Sequence, residues 1–157
     1  MICWGLEKVR KQVQQHLSKS DRIFFKRGKK ILLKDSTKLN IEESLQLERM
    51  LNYSEDLKWA YSIKEGFFGV NRESQYSRKI ELFNEWILYA ESCKMKEFEP
   101  HLKTFHEWAK YIKNSFKTNL SNGITEGFNN KIKVIKRIAY GFRNFENFRL
   151  RILLACR

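Results

Sequence analysis

One proline and seven glycines in 157 residues leave this chain almost unbroken, and apolar residues recur along it at helical spacing. Proline and glycine are the strongest interrupters of regular structure, so the few present separate one helical pattern from the next. Leu6, Val9, Val13 and Leu17 repeat at intervals of three, four and four, which predicts a helix with a basic, glutamine-rich outer face. From Asp21 to Leu33, Ile23, Phe24, Ile31 and Leu32 surround a cationic middle, Lys26-Arg27-Gly28-Lys29-Lys30. Gly28 weakens a helix there. Asn40-Ile41-Glu42-Glu43 has the spacing of a capping box, and Ile41, Leu45, Met50 and Leu51 continue it as a short helix. Ser54-Glu55-Asp56 opens the next one, whose face includes Leu57, Ala60, Tyr61, Lys64 and Phe68.

The longest pattern follows Asn71, with Tyr76, Ile80, Phe83, Ile87 and Ala90 on one stripe. Pro100 then stands where a helix begins, and Phe105, Trp108, Ile112 and Phe116 carry its apolar face. After Gly141, Asn144 can cap a final helix bearing Phe145, Phe148, Ile152 and Leu153. Strand patterns are nearly absent: Ile31-Leu32-Leu33 is too short and too embedded in helical sequence to count. The expectation is an all-α chain of about seven or eight helices of ordinary length.

Hydrophobic residues at 42% and aromatics at 14% suffice for a folded domain. Lys and Arg outnumber Asp and Glu by 31 to 18, a net charge of +13. Such an excess suits a polyanionic partner, and nucleic acid before others. Cys3, Cys93 and Cys156 lack C-x-x-C spacing and read as buried or incidental thiols of a reducing cytoplasm. His16, His101 and His106 do not join them at zinc-like spacing. No apolar run of about 18 residues is present, so no membrane helix is expected. The segment Met1 to Glu7 lacks the cationic start and long apolar centre of a signal peptide.

The most informative stretch runs from Ser121 to Arg137. Asn122-Gly123 is a turn dipeptide, and Thr125 or Ser121 can cap the helix that follows. At about 100° per residue, Phe128, Ile132, Ile135 and Ala139 lie within about 60° of one another. Glu126, Asn130, Lys133 and Arg137, at the same spacing, form an equally narrow stripe opposite. One carboxylate, one amide and two cations on one face suit a metal ion or a phosphate. The plain alternative is a solvated surface in which Glu126 pairs along the helix with Asn130 and Lys133.

Asn122-Gly123-x-Thr125-Glu126-Gly127-x-Asn129-Asn130-Lys131-Ile132-Lys133-x-Ile135-Lys136-Arg137, followed by Ala139-Tyr140-Gly141-Phe142-Arg143-Asn144-Phe145, resembles the C-terminal end of Asp-Asp-Glu transposases of insertion sequences, the ISL-three type. The dense part of the resemblance covers residues 121–154. A looser one covers residues 3–118, through Trp4-x-Leu6-Glu7-x-Val9-Arg10, Phe25-Lys26-Arg27-x-Lys29-Lys30, Ser54-Glu55-Asp56-Leu57 and Ala60-Tyr61. It implies a helical region, 1–118, corresponding to the insertion between the family's second Asp and its Glu. Residues 119–157 would then be the Glu-bearing end of an RNase H-like fold, incomplete in this chain.

In such enzymes three carboxylates hold two Mg²⁺ or Mn²⁺ ions that activate a hydroxyl and stabilise the leaving oxygen at a phosphodiester. The resemblance makes Glu126 the third carboxylate and metal ligand. Lys133 stands where related transposases place a phosphate-binding lysine. Their Tyr and Arg, seven and four residues before the Glu, are replaced by Asn119 and Asn122. The first two catalytic aspartates sit at strand ends in the family, and this chain has only Asp21, Asp35 and Asp56. Asp21 faintly matches the setting of the second, yet no apolar strand leads into it. The chain therefore reads as a transposase whose front half is absent, a bacterial cytoplasmic protein, nucleoid-associated when bound to DNA.

Lys131, Lys133, Lys136, Arg137 and Arg143 are the expected DNA-phosphate contacts, which supply affinity and not sequence choice. Phe142, Phe145 and Phe148 fit a core at helical spacing better than base stacking, and Trp4, Trp59, Trp86 and Trp108 are read as packing residues. The expected partners are DNA and a second copy or the full-length transposase, with neither membrane nor small-molecule substrate. Two functions remain: part of a DNA-cleaving and strand-joining enzyme, inactive alone, or a non-enzymatic basic helical module that binds DNA or the transposase.

Overall fold

The computed structural model describes residues 2–117 and 123–156. The chain forms two compact units, Met1–Lys117 and Thr118–Arg157. Among the described residues there are ten α-helices, one short 3₁₀ turn and no strand. The mainly-α expectation holds, with more helices than expected because two patterns are interrupted. The first splits at Gly28 into α2 (Lys19–Arg27) and α3 (Lys29–Leu33), the second at Trp108 into α7 (Glu99–Glu107) and α8 (Ala109–Ser115). In the first unit these join α1 (Ile2–Gln15), α4 (Ile41–Leu51), α5 (Glu55–Arg72) and α6 (Tyr76–Ser92).

Among the described residues α5 is the longest helix at 18 residues, one more than α6, so the pattern after Asn71 comes second. It packs against α1 and α6. Its start is local chemistry: the Ser54 hydroxyl accepts from the Leu57 amide, satisfying one of the amides a helix start leaves unbonded. The capping box of α4 is complete, with Asn40 Oδ1 accepting from the Glu43 amide at 2.8 Å and Glu43 Oε2 from the Asn40 amide at 3.0 Å. Pro100 stands in the first turn of α7, where a missing amide proton costs nothing.

The core runs from Ile2 to Phe105. Leu6, Phe25, Leu32, Met50, Leu57, Ile63, Phe83 and Phe98 are fully buried in it. Several stripe assignments shift. Phe25 is buried, while Ile23 is exposed. Ile41 is 81% exposed and Leu45 also faces solvent, so α4 is held by Leu47 and Met50. Tertiary contacts decide these cases, because spacing along one helix does not say which of its apolar residues a neighbouring helix covers. Gly28 fits its site for steric reasons: a Cβ there would stand 2.3 Å from Met50 Sδ. Gly66 likewise lets the Trp86 ring approach, 2.8 Å from where its Cβ would be, and Trp86 Nε1 donates to the Ile63 carbonyl at 2.8 Å.

Two buried cations hold helix ends in place. Arg10 forks onto both Glu7 oxygens at 2.7 and 2.8 Å and donates to the Phe25 carbonyl near the end of α2. Lys64, with no exposed surface, donates to the Leu32 and Lys34 carbonyls at 3.1 and 2.7 Å. Those carbonyls belong to the C-terminal end of α3, where helix geometry leaves acceptors without partners. Lys64 also pairs with Glu65 and lies 4.1 Å from the Tyr61 ring centroid. Glu65 in turn accepts from the Ser36 amide and hydroxyl, tying the chain after α3 to α5.

The second unit contains α9 (Gly123–Ile138) and α10 (Phe145–Ala155), packed on each other. α9 closes with the Gly141 amide donating to the Lys136 carbonyl and the Tyr140 amide to Arg137, both at 3.1 Å, the reciprocal pattern of a helix C-terminus. Tyr140 takes the left-handed conformation, φ 51°, followed by Gly141 at φ 98°. For a residue with a Cβ that conformation costs about 1–2 kcal/mol. Asn144 caps α10, its side chain accepting from the Glu146 amide at 2.8 Å. No described residue of this unit is buried.

Candidate nucleic-acid interface and the Glu126 helix face

α9 begins at Gly123, so Thr125 lies inside the helix and does not cap it. Ser121, Asn122 and Asn119 fall outside the described residues. Ile132, Ile135 and Ala139 are half-buried, whereas Phe128 stays exposed. The inner face continues into α10 through Phe142 and Phe148, whose ring centroids are 4.9 Å apart. Phe145 is 71% exposed and faces away from that contact.

Glu126, Asn130, Lys133 and Arg137 are all exposed and, at about 100° per residue, share one face of α9. Lys136 lies beside that stripe. Lys131 sits about 140° round the helix from Glu126, at the margin of the apolar face. Arg143 lies in the turn between the helices. Glu126 stands in the first turn of α9 and Lys136 and Arg137 in its last. That order complements the helix dipole, a contribution of about 0.3–1 kcal/mol per exposed charge.

The three aspartates stand at helix starts. Asp21, in the first turn of α2, accepts from the Ser18 hydroxyl at 2.7 Å and from Tyr53 at 2.9 Å. Asp35 caps the 3₁₀ turn and accepts from Thr37 and Arg72. Those hydrogen bonds, Thr37 first, hold its pKa down to about 2. Asp56 is in the first turn of α5. Among the described residues no three His, Cys, Asp or Glu side chains gather to hold a metal, and the stretch Thr118 to Asn122 contains no carboxylate. One carboxylate cannot fix a two-metal geometry, so the residues of this chain do not fit the metal centre that the resemblance implies.

The model of the DDE transposase family of ISL3 type, described as "Transposase", matches residues 1–152. The chain belongs to this transposase family. Of two curated relatives, an "ATP-dependent protease" of Lactococcus lactis subsp. lactis is 36% identical over 115 residues, 73% of this chain and 36% of that protein. The "Transposase for insertion sequence element IS1001" of Bordetella parapertussis is 28% identical over 137 residues, 85% of this chain and 33% of that protein. The chain thus spans about a third of the length of these relatives. No solved structure matches. No described helix of this family member is long and apolar enough to cross a membrane.

Arg10 and Lys64 escaped the sequence reading as buried cations. Glu7, three residues before Arg10, was the available clue for the first, and the placement of Lys64 on the apolar stripe of α5 for the second. Only Trp86 of the four tryptophans is buried. Trp4, Trp59 and Trp108 are about half exposed.

Proposed function

We propose that this chain is the C-terminal part of an insertion-sequence transposase that acts in DNA transposition, a family whose complete enzymes use divalent metal. It contributes Glu126 as the third carboxylate of a catalytic centre, and the cations of the same helix face, Lys133 and Arg137, as DNA-phosphate contacts. Lys131, Lys136 and Arg143 extend that basic surface. The carrying observation is the exposed stripe of Glu126, Asn130, Lys133 and Arg137 on α9, inside the segment that matches the transposase family. Residues 1–118 correspond in this reading to the family's helical insertion. The two remaining carboxylates lie outside this sequence, in keeping with relatives of which the match covers only about a third.

The isolated chain is therefore inactive. Incubated with supercoiled plasmid and Mg²⁺ or Mn²⁺, it should leave the plasmid intact at every protein concentration. Metal-dependent nicking that disappears in Glu126→Gln would overturn the proposal, because it would mean that the chain completes a metal site from its own acids.

DNA binding by this face is electrostatic. Replacing Lys133 and Arg137 together by Gln should flatten the slope of log K against log salt by about two units, since each phosphate contact contributes about 0.9. An unchanged slope would remove α9 from the interface. The second reading, a non-enzymatic basic helical module, is favoured by the lack of any three-residue metal cluster among the described residues. It predicts the same binding, with no rise in activity when the upstream portion of a related transposase is supplied in trans.

A further inference from the structure

The outer face of α2 and α3 carries a second cationic track. Lys19, Arg22, Lys26 and Lys30 recur at intervals of three, four and four. The backbone between the two helices stays right-handed, with Gly28 at φ −72°, ψ −5°. Its carbonyl accepts from the amides of Ile31 and Leu32 at 3.0 and 3.1 Å. At about 100° per residue the four cations therefore fall within about 80° of one another. Burial agrees: all four are exposed, while Phe25, Gly28 and Leu32 on the opposite side are buried.

The track is uncompensated, in contrast to several nearby cations of this unit. Lys29, Lys34, Lys58, Arg72 and Arg78 each pair with a carboxylate. None of Lys19, Arg22, Lys26 and Lys30 forms such a pair among the described residues, and the Arg22 guanidinium donates to the Gln15 carbonyl. Asp21, the one acid of α2 and α3, is half-buried and engaged by Ser18 and Tyr53. Four unscreened like charges on one face repel one another, a cost relieved by a polyanion. The buried Arg10 and Lys64 hold the ends of α2 and α3, so the track is presented rigidly.

We propose that this face binds the phosphate backbone of duplex DNA. At about 1.5 Å per residue, Lys19 to Lys30 covers about 17 Å, the axial length of about five nucleotides of one strand at about 3.4 Å each. Ile23 is the only large apolar residue on the face, too little for insertion into a lipid surface. The contact is sequence-independent and adds to that of α9. It rests on the transposase reading only for the identity of the polyanion.

The test measures anisotropy of a fluorescent duplex of arbitrary sequence, titrated with the full chain at several salt concentrations. The variant combines Lys19→Gln, Arg22→Gln, Lys26→Gln and Lys30→Gln. A control removes the same charge elsewhere, through Lys58→Gln, Arg78→Gln, Lys103→Gln and Lys110→Gln. The track variant should flatten the salt slope by about three to four units while the control changes it by less than one. Circular dichroism of both should match the parent, since all the replaced residues lie on helix surfaces. Equal flattening in both variants, or none in the track variant, overturns the track. Binding of the parent to phosphatidylserine vesicles without binding to duplex overturns it too. Loss of slope in the α9 variant alone leaves the α9 reading standing and removes this one, whereas loss in the track variant alone does the reverse.

Discussion

Amide hydrogens of residues 126–138 should exchange at least about a hundredfold faster than those of residues 57–64 in the isolated, monomeric chain. Opening free energies range from near zero for poorly packed elements to the global stability for core helices. α5 buries Leu57, Ala60, Tyr61, Ile63 and Lys64, whereas α9 buries no described residue. Its unit instead leaves Phe128, Val134, Ile138, Phe145, Leu150, Leu153 and Leu154 exposed. Each such side chain forgoes about 1.5–3 kcal/mol when it stays in water, and a domain's net stability is only about 5–15 kcal/mol. The RNase H-like fold that the resemblance implies would supply a β-sheet to cover the apolar stripe of α9, and none of the described residues forms a strand. Protection of residues 126–138 equal to that of α5 in a demonstrated monomer would defeat this account. Protection that grows with protein concentration would show that a second copy covers the stripe.

Lys64→Met should lower the stability of the first unit by about 3–5 kcal/mol, the usual result of breaking a buried ion pair from one side. Methionine keeps the volume of the stem, but the Leu32 and Lys34 carbonyls lose their donor and Glu65 its cation. Urea denaturation measures this directly, and a loss below about 1 kcal/mol would mean that water replaces the ammonium at the end of α3. The parent should also show a signature at high pH. Burial pushes the Lys64 pKa below its ordinary 10.5, against the opposing pull of Glu65. The unfolded chain therefore binds more protons between the lowered folded value and 10.5, so this group's contribution to stability rises with pH across that window. In Lys64→Met that rise should be absent.

Much of the local architecture was legible because its causes are local. Asn40 with Glu43, Ser54, Pro100 and Asn144 mark helix starts by chemistry that acts within four residues. The structure finds each of them at or beside the start of its helix. Gly28 was legible as a weak point but not as a helix boundary packed on Met50. That role depends on a side chain 22 residues away in sequence. The stripe of α5 was legible down to Lys64, yet nothing in its spacing tells that the ammonium reaches the end of α3.

The candidate site divides in the same way. Glu126, Asn130, Lys133 and Arg137 share a face because helical periodicity alone puts them there. The pattern of motifs around them was enough to place the chain among transposases. Tertiary structure decided that Phe25 and not Ile23 enters the core, that Tyr53 engages Asp21, and that no three acids, histidines or cysteines gather among the described residues. Convergence, burial and hydrogen-bond partners join residues far apart in sequence, and periodicity along one helix carries no record of what lies across from it.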